Sequence, residues 1–448
     1  MYRVQFEDFR CFGKAAPVEV RPITLLIGEN SAGKTSFLAG LRVALESFTP
    51  GSVNPFNRDP YFLGGFEQIA HIGIRRGVSA KRFHISVQSA EPSADDRPGR
   101  LPPTMAEHKF TFTKGGAQPQ LEEYEYAVGG TSLRLSLISE TAKVHLSRNG
   151  TEISYSPRIG HLPSSDMLRH DISMLPFLLR DVAMRGRGIL SDDAGTSFNE
   201  QGHQRLLDDL GHSIRRSYRM FSQGVFSSAP VRSQPLRTYT PSEVAASSEG
   251  AHVPLALSRA KADHPESWAK IREGLIGFGQ RSGLFKDIDV KAFGKGDADP
   301  FQIMVKIAGT SMNLADVGYG VSQVLPILYQ IQNTSRYHTF LLQQPEVHLH
   351  PRAQAELGSL FVSTVAGSTR RKPVFVIETH SDYLIDRVRI EVANGKISHD
   401  DVTIVFFQRE NYESTATNLY LNDRGEIQNP PANYREFFLA EHSKLLGF

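Results

Sequence analysis

The sequence predicts an α/β fold in which a lobe built on a mostly parallel sheet accompanies a mixed and antiparallel β lobe, with a helical subdomain inserted. Three patterns predict it. The apolar run Ile23-Thr24-Leu25-Leu26-Ile27 ends at a glycine-rich turn and gives way to helical spacing. From about Lys81 to Tyr155 the residues alternate between apolar and polar, with Gly129-Gly130 and Asn149-Gly150 as turns. From Val317 onward, buried strands alternate with helices, as in a parallel sheet covered on both faces.

In chain order, Tyr2 to Phe9, Pro17 to Val20 and Ile23 to Ile27 read as strands. A helix follows, with Phe37, Leu38, Leu41, Val43, Ala44 and Leu45 at helical spacing until Pro50-Gly51 stops it. Beyond the antiparallel stretch, Ser164 to Phe226 shows helical periodicity and gathers Arg180, Arg185, Arg187, Arg215, Arg216 and Arg219. This basic stretch fits a nucleic-acid contact, a solvated helical face or a protein interface. Ser227 to His252 reads as loops around a short strand, Glu266 to Phe278 as a helix, and the chain to Met312 as strand-rich. Val317 to Gln330 and Pro351 to Phe361 then read as helices, and Thr339 to Leu342 and Pro373 to Ile377 as buried strands. The expected division is residues 1–160, with the phosphate loop and antiparallel lobe; 161–228, the helical insertion; and 229–448, the remainder of the head.

Composition sets outer bounds. The 448 residues suffice for two or three ordinary domains or one large α/β head, and 40% hydrophobic with 22% charged residues is ordinary for a globular chain. A formal charge of +2 leaves no overall basic excess of the kind that coats nucleic acid. The only cysteine is Cys11, which leaves no intrachain disulfide to form. No window approaches the roughly 20 apolar residues of a membrane span, and the N-terminus lacks a signal pattern, so the expectation is a cytoplasmic protein without a membrane partner.

The most specific motif is Gly28-Glu29-Asn30-Ser31-Ala32-Gly33-Lys34-Thr35, a full match to the phosphate loop G-x-x-x-x-G-K-[ST], standing after a strand and before a helix as its mechanism requires. Its glycines let successive N–H groups converge on phosphates, and the following helix aims its positive end at the same anion. Gly28, Asn30, Ser31, Ala32, Gly33, Lys34, Thr35 and Ser36 are therefore the expected nucleotide ligands. Lys34 would reach the β- and γ-phosphates, and the Thr35 hydroxyl would coordinate Mg²⁺.

Three later segments choose among nucleotide-binding classes. Asp316-Val317-Gly318-Tyr319-Gly320-Val321-Ser322-Gln323 places glycines and a serine at a helix start and resembles the signature motif of ABC ATPases. That resemblance implies that Gly318, Gly320, Ser322 and Gln323 of one copy cap the γ-phosphate held by another. Phe340-Leu341-Leu342-Gln343-Gln344-Pro345-Glu346-Val347-His348-Leu349-His350-Pro351 resembles Walker B, and His380 in Ile377-Glu378-Thr379-His380-Ser381 resembles the switch histidine that senses the γ-phosphate.

In this order the motifs resemble the OLD-like (overcoming lysogenization defect) branch of ABC/SMC-type ATPases, across the first 45 residues or so and from about Asp316 to Leu384. The resemblance implies an ABC/SMC-like P-loop ATPase head using ATP and Mg²⁺, and a homodimer around sandwiched ATP, with a higher oligomer left open. It also implies a nucleotide-side role for Arg10, catalytic roles for Gln344, His380 and Glu346, and metal-side roles for Thr35, Gln343 and, as the Q-loop glutamine, Gln68.

The chain departs from that pattern where hydrolysis is decided. Family members usually carry Glu-Glu or Glu-Gln before Pro-Glu, and this sequence has Gln343 and Gln344. A glutamine can bind a metal-held water but brings no negative charge, and it cannot accept a proton at neutral pH. Three accounts stand side by side: a Glu→Gln change introduced to trap ATP, with Gln343 the preferred position; a naturally slow ATPase; or substitution by Glu346 or Glu378. Each retains ATP–Mg²⁺ binding and dimerisation, and the expectation is poor turnover.

Many OLD-like proteins carry a Toprim nuclease, but Asp382, Asp386, Asp400 and Asp401 are scattered without a D-x-D and read as caps or surface charges. The expected role is therefore regulation of a separate effector nuclease in prokaryotic antiviral defence, with nucleic acid left open as a partner. The alternative is a DNA-repair or maintenance ATPase resembling SMC-like heads and acting directly on DNA, although no coiled-coil arm is legible. A membrane-transporter ATPase is disfavoured, since its signature should lie closer to L-S-G-G-Q.

Overall fold

The computed structural model describes residues 1–49, 55–72, 79–90, 105–138, 141–148, 151–155, 200–241, 246–294, 296, 298–332, 337–369, 371–431 and 434. The chain divides into two compact units. The first comprises Met1–Val20, Asn30–Val225 and Arg409–Thr415; the second comprises Arg21–Glu29, Phe226–Gln408 and Ala416–Phe448. The chain crosses from the second unit to the first inside the phosphate loop, between Glu29 and Asn30.

The first unit is built on a nine-stranded sheet whose pairings are antiparallel wherever their register is defined. Its hairpins follow the predicted alternation: Arg82–Ala90, Met105–Gly115, Gln118–Val128, Thr131–Ile138, Thr141–Arg148 and Thr151–Tyr155 pair in succession. The inward positions of Tyr2–Phe9 (Tyr2, Val4, Phe6, Phe9) are buried, and Phe6 packs on Phe9, Phe12 and Phe37 at ring separations of 5.2–5.8 Å. Phe37 belongs to the helix Lys34–Glu46, so the element that carries the phosphate-loop lysine is anchored through this aromatic cluster.

Of the predicted helical insertion, the structure describes the helix Glu200–Phe221, while Met174, Leu175, Phe177, Arg180, Arg185 and Arg187 lie outside the described residues. Its stripe Leu207, Leu210, Ile214, Tyr218 and Phe221 is buried, and Tyr218 and Phe221 meet Phe48. Helical periodicity extended to Phe226 in the sequence, but the helix stops at Phe221 and Val225–Ser228 is a strand. Gly224 breaks the helix, and the Val225-Phe226 pair that follows favours an extended backbone.

The sheet of the second unit runs in the order Val225–Ser228, Thr339–Gln343, Val374–Glu378, Ile23–Gly28, Val402–Glu410, Glu413–Leu419. Its three central pairings are parallel, and all residues of Thr339–Gln343 and Val374–Glu378 are buried. Near-continuous apolar runs in the sequence arise because helices cover such strands on both faces. The helices Pro265–Ser282, Tyr319–Ile331, Pro351–Ala366 and Asp382–Ala393 contribute to the same core. The strand-rich segment before Met312 forms a separate antiparallel sheet of Asp287–Ala292, Phe301–Ile307 and Thr310–Asn313. Among the described residues, no helix is long and apolar enough to cross a membrane.

Candidate nucleotide site

The phosphate loop leaves the central strand at Gly28, whose φ of 131° is open to glycine alone; a Cβ there would lie 2.1 Å from the Phe407 carbonyl oxygen. Ser31 is left-handed at φ 61°, and Gly33 caps the helix Lys34–Glu46 at φ 106°. An acidic or hydroxylated N-cap would turn its own side chain onto the first amides; a glycine has none to turn. Asn30, Ser31 and Thr35 are exposed, Ser36 is half-buried, and Ala32 and Lys34 are buried.

Also in the first unit, a Cβ on Gly33 would meet Cys11 Sγ at 3.0 Å and Ser414 Cβ at 3.1 Å, which sets the Arg10-Cys11-Phe12 segment beside the loop. Arg10 is exposed and left-handed (φ 51°), its amide donating to Ile69 O at 2.6 Å and its carbonyl contacting His71 Nδ1 at 2.7 Å. Arg409 Nη1 donates to Ser31 O at 3.3 Å. Gln68 lies on the next turn, but its amide oxygen accepts the Gly65 N–H at 2.7 Å and closes its own short helix Phe66–Ile69.

The second unit brings the Walker B-like turn, the switch segment and the signature-like helix into one network. Gln343 ends its strand 5% exposed, opposite Glu378 on the neighbouring parallel strand. Gln344 turns left-handed (φ 42°), its amide donating to Glu378 O at 2.8 Å. Glu346 is buried, and one of its oxygens accepts both the Thr379 hydroxyl and the His380 amide at 2.8 Å each. Burial pushes the Glu346 carboxyl up, opposed by these hydrogen bonds and by the charge of Arg232. His380 itself is exposed.

Gly318 is exposed with open space around its α-carbon. Gly320, by contrast, is buried where a Cβ would lie 2.6 Å from His348 O, so this glycine serves close packing of the helix Tyr319–Ile331 on the Walker B-like turn. Ser322 is 5% exposed and donates to Tyr319 O at 2.8 Å. Gln323, 1% exposed, accepts the Arg232 amide at 3.1 Å and donates to the Arg232 carbonyl at 3.4 Å.

Arg232 is the functional candidate that sequence reasoning missed. It is 1% exposed, and its Nη2 donates to Gln343 O at 3.1 Å and Gln344 O at 3.2 Å. Burial pushes its pKa down to about 10, partly offset by Glu346. Its sequence context, Ala229-Pro230-Val231-Arg232-Ser233, carries only a turn signal.

Residues 3–144 match the family model described as "AAA domain", and residues 280–386 match the model described as "AAA domain, putative AbiEii toxin, Type IV TA system". No curated protein sequence matches the chain. Among solved structures, an SMC head bound to the C-winged helix domain of ScpA is similar at 10% identity and TM-score 0.46, over 94% of this chain and 97% of that one. The SMC head domain from Thermotoga maritima is similar at 9% identity and TM-score 0.38, over 93% and 97%. An Smc head domain with an extended coiled coil, bound to the C-terminal domain of ScpA derived from Pyrococcus furiosus, is similar at 10% identity and TM-score 0.44, over 100% and 99%.

The phosphate loop on a central strand of the parallel-cored sheet agrees with the two AAA-domain models that match segments of the chain, and these are the features of a P-loop nucleotide-binding domain.

Proposed function

We propose that the chain binds ATP–Mg²⁺ and dimerises around it, the Lys34 loop of one copy facing the Gly318-Tyr319 segment of the other. In this arrangement it regulates a separate effector nuclease in prokaryotic antiviral defence. The observation that carries the nucleotide reading is the start of the helix Lys34–Glu46, which is capped by a left-handed glycine directly after the strand Ile23–Gly28 and its glycine-rich turn. A triphosphate fits this cradle, and a Cβ at Gly28 or Gly33 would distort it. Mg²⁺ would take the Thr35 hydroxyl, while Gln343 offers it an amide oxygen in place of a carboxylate. With the Ser322 hydroxyl turned onto Tyr319 O, the exposed backbone at Gly318-Tyr319 is the better donor surface for the partner's phosphate. The defence role is supported by the toxin–antitoxin description of the model that matches residues 280–386.

Light scattering of the full chain with and without ATP–Mg²⁺ tests the reading. The parent should shift from monomer to dimer, and Lys34→Ala should bind no ATP and stay monomeric. A parent that binds no ATP, or binds it with no change of mass, overturns the proposal.

A further inference from the structure

We infer that Arg232 is a positioning residue that couples the signature-like helix Tyr319–Ile331 to the turn at Gln343-Gln344, where hydrolysis would be set up. The coupling has two ends. At one, the Gln323 amide grips the Arg232 backbone through both its N–H and its carbonyl, at 3.1 and 3.4 Å. At the other, a single guanidinium nitrogen takes two successive carbonyls, those of Gln343 and Gln344, at 3.1 and 3.2 Å.

Successive carbonyls aimed at one point repel each other and lose their water on burial, so a cation between them holds a backbone shape that would otherwise open. The shape at issue is the left-handed Gln344, φ 42°, the residue at the position that orients attacking water in related sites. A shift of the helix therefore reaches Gln344 through Gln323 and Arg232, with all three in one unit and Gln323 and Arg232 each 1% exposed.

A second feature separates Arg232 from a merely structural arginine. Its Nε and Nη1 are buried with no hydrogen-bond partner, and Glu346 Oε2 is a buried acceptor with none. Arg232 and Glu346 feel each other's charge without forming a direct ion pair. These spare donors and the spare acceptor provide for a second arrangement, in which the guanidinium swings from the carbonyls toward the carboxylate. Glu346 holds the His380 amide at its other oxygen, so that exchange would reach the switch segment as well.

This inference rests on the ATPase reading, and the test separates the two. Hydrogen–deuterium exchange of amides 343–350 is compared, without nucleotide, in the full-length parent, Arg232→Lys and Gln323→Asn. Lys keeps the charge but its ammonium ends one bond short of the Nη2 position, and Asn withdraws the amide grip without burying a new charge. Exchange should quicken by about tenfold in each variant, the loss of about one hydrogen bond: a charge-assisted one in Arg232→Lys and a neutral one in Gln323→Asn. ATP affinity of Arg232→Lys should stay within about twofold of the parent, and single-turnover phosphate release should fall by about tenfold in both variants. Unchanged exchange in both variants overturns the coupling, as does unchanged turnover alongside quickened exchange. A parent that binds no ATP refutes the ATPase reading and with it the functional coupling, while the exchange comparison still decides whether Arg232 holds the turn. Should Arg232→Lys fail to fold, the Gln323→Asn result decides.

Discussion

The Glu346 carboxylate holds the His380 backbone amide at 2.8 Å, tying the turn after the Walker B-like strand to the switch-like histidine 34 residues on. Burial raises the Glu346 pKa above its ordinary 4.5. The folded chain thus binds this proton more tightly than the unfolded chain, and stability is lost as pH climbs from the unfolded value through the folded one. Glu346→Gln keeps an acceptor for His380 and has no proton to lose. Its melting temperature relative to the parent should rise as pH climbs above about 4.5, as thermal melts across an acid-to-neutral series will report. A difference that stays flat or falls refutes the assignment.

Gly318 and Gly320 stand two residues apart and should respond oppositely. Gly320→Ala would drive a methyl to 2.6 Å from a backbone carbonyl that cannot swing aside, so helix or turn must shift. The expected loss is about 1–3 kcal/mol, read from thermal or denaturant unfolding. Gly318→Ala meets nothing within 4 Å and loses only N-cap preference, about 0.5–1 kcal/mol. On the proposed dimer it should nevertheless weaken ATP-dependent association by light scattering, because the methyl would lie on the face proposed to meet the second copy.

The phosphate loop, its strand and its helix were legible because they are set by neighbours in sequence: an apolar run, two glycines at fixed spacing and a periodic helix. The same holds for the hairpins from Arg82 to Val128, whose alternation survives in the burial pattern. The Walker B-like end was legible as a motif but not as a mechanism. Arg232 reaches Gln343 across 111 residues, and nothing local to Pro230-Val231-Arg232 signals that reach. Gly318 and Gly320 likewise look equivalent in sequence; only the position of the His348 carbonyl makes one a packing residue and leaves the other exposed. Sequence assigned Ser322 to the partner's phosphate, whereas its hydroxyl faces its own helix turn.

Acid should loosen the first unit through His108. The ring is fully buried, with Tyr126 at 4.7 Å, Phe48 at 5.0 Å and the Tyr124 hydroxyl at 2.7 Å from Nδ1, and burial pushes its pKa down to about 3. The unfolded histidine titrates near 6.5, so the stability it contributes is complete above that value and drains away as pH falls toward 3. His108→Phe keeps the aromatic packing and forgoes the Tyr124 hydrogen bond, at about 1 kcal/mol near neutrality. Its stability deficit should shrink, then reverse, in melts taken at successively lower pH.

Gln343→Glu tests whether the missing negative charge limits hydrolysis. The residue is 5% exposed and directly opposite Glu378, itself 6% exposed, on the adjacent parallel strand. A carboxylate introduced there gathers like charge in a buried place, so without nucleotide the variant should melt below the parent. Mg²⁺ carried in with ATP supplies the opposing charge, and the deficit should narrow on adding ATP–Mg²⁺ but not ATP with a chelator. The same carboxylate would anchor the metal's hydration shell, and phosphate release should then rise by about tenfold or more over the parent. Equal and brisk release by both proteins would mean that Gln343 is no impediment and that the chain's own carboxylates already complete the site.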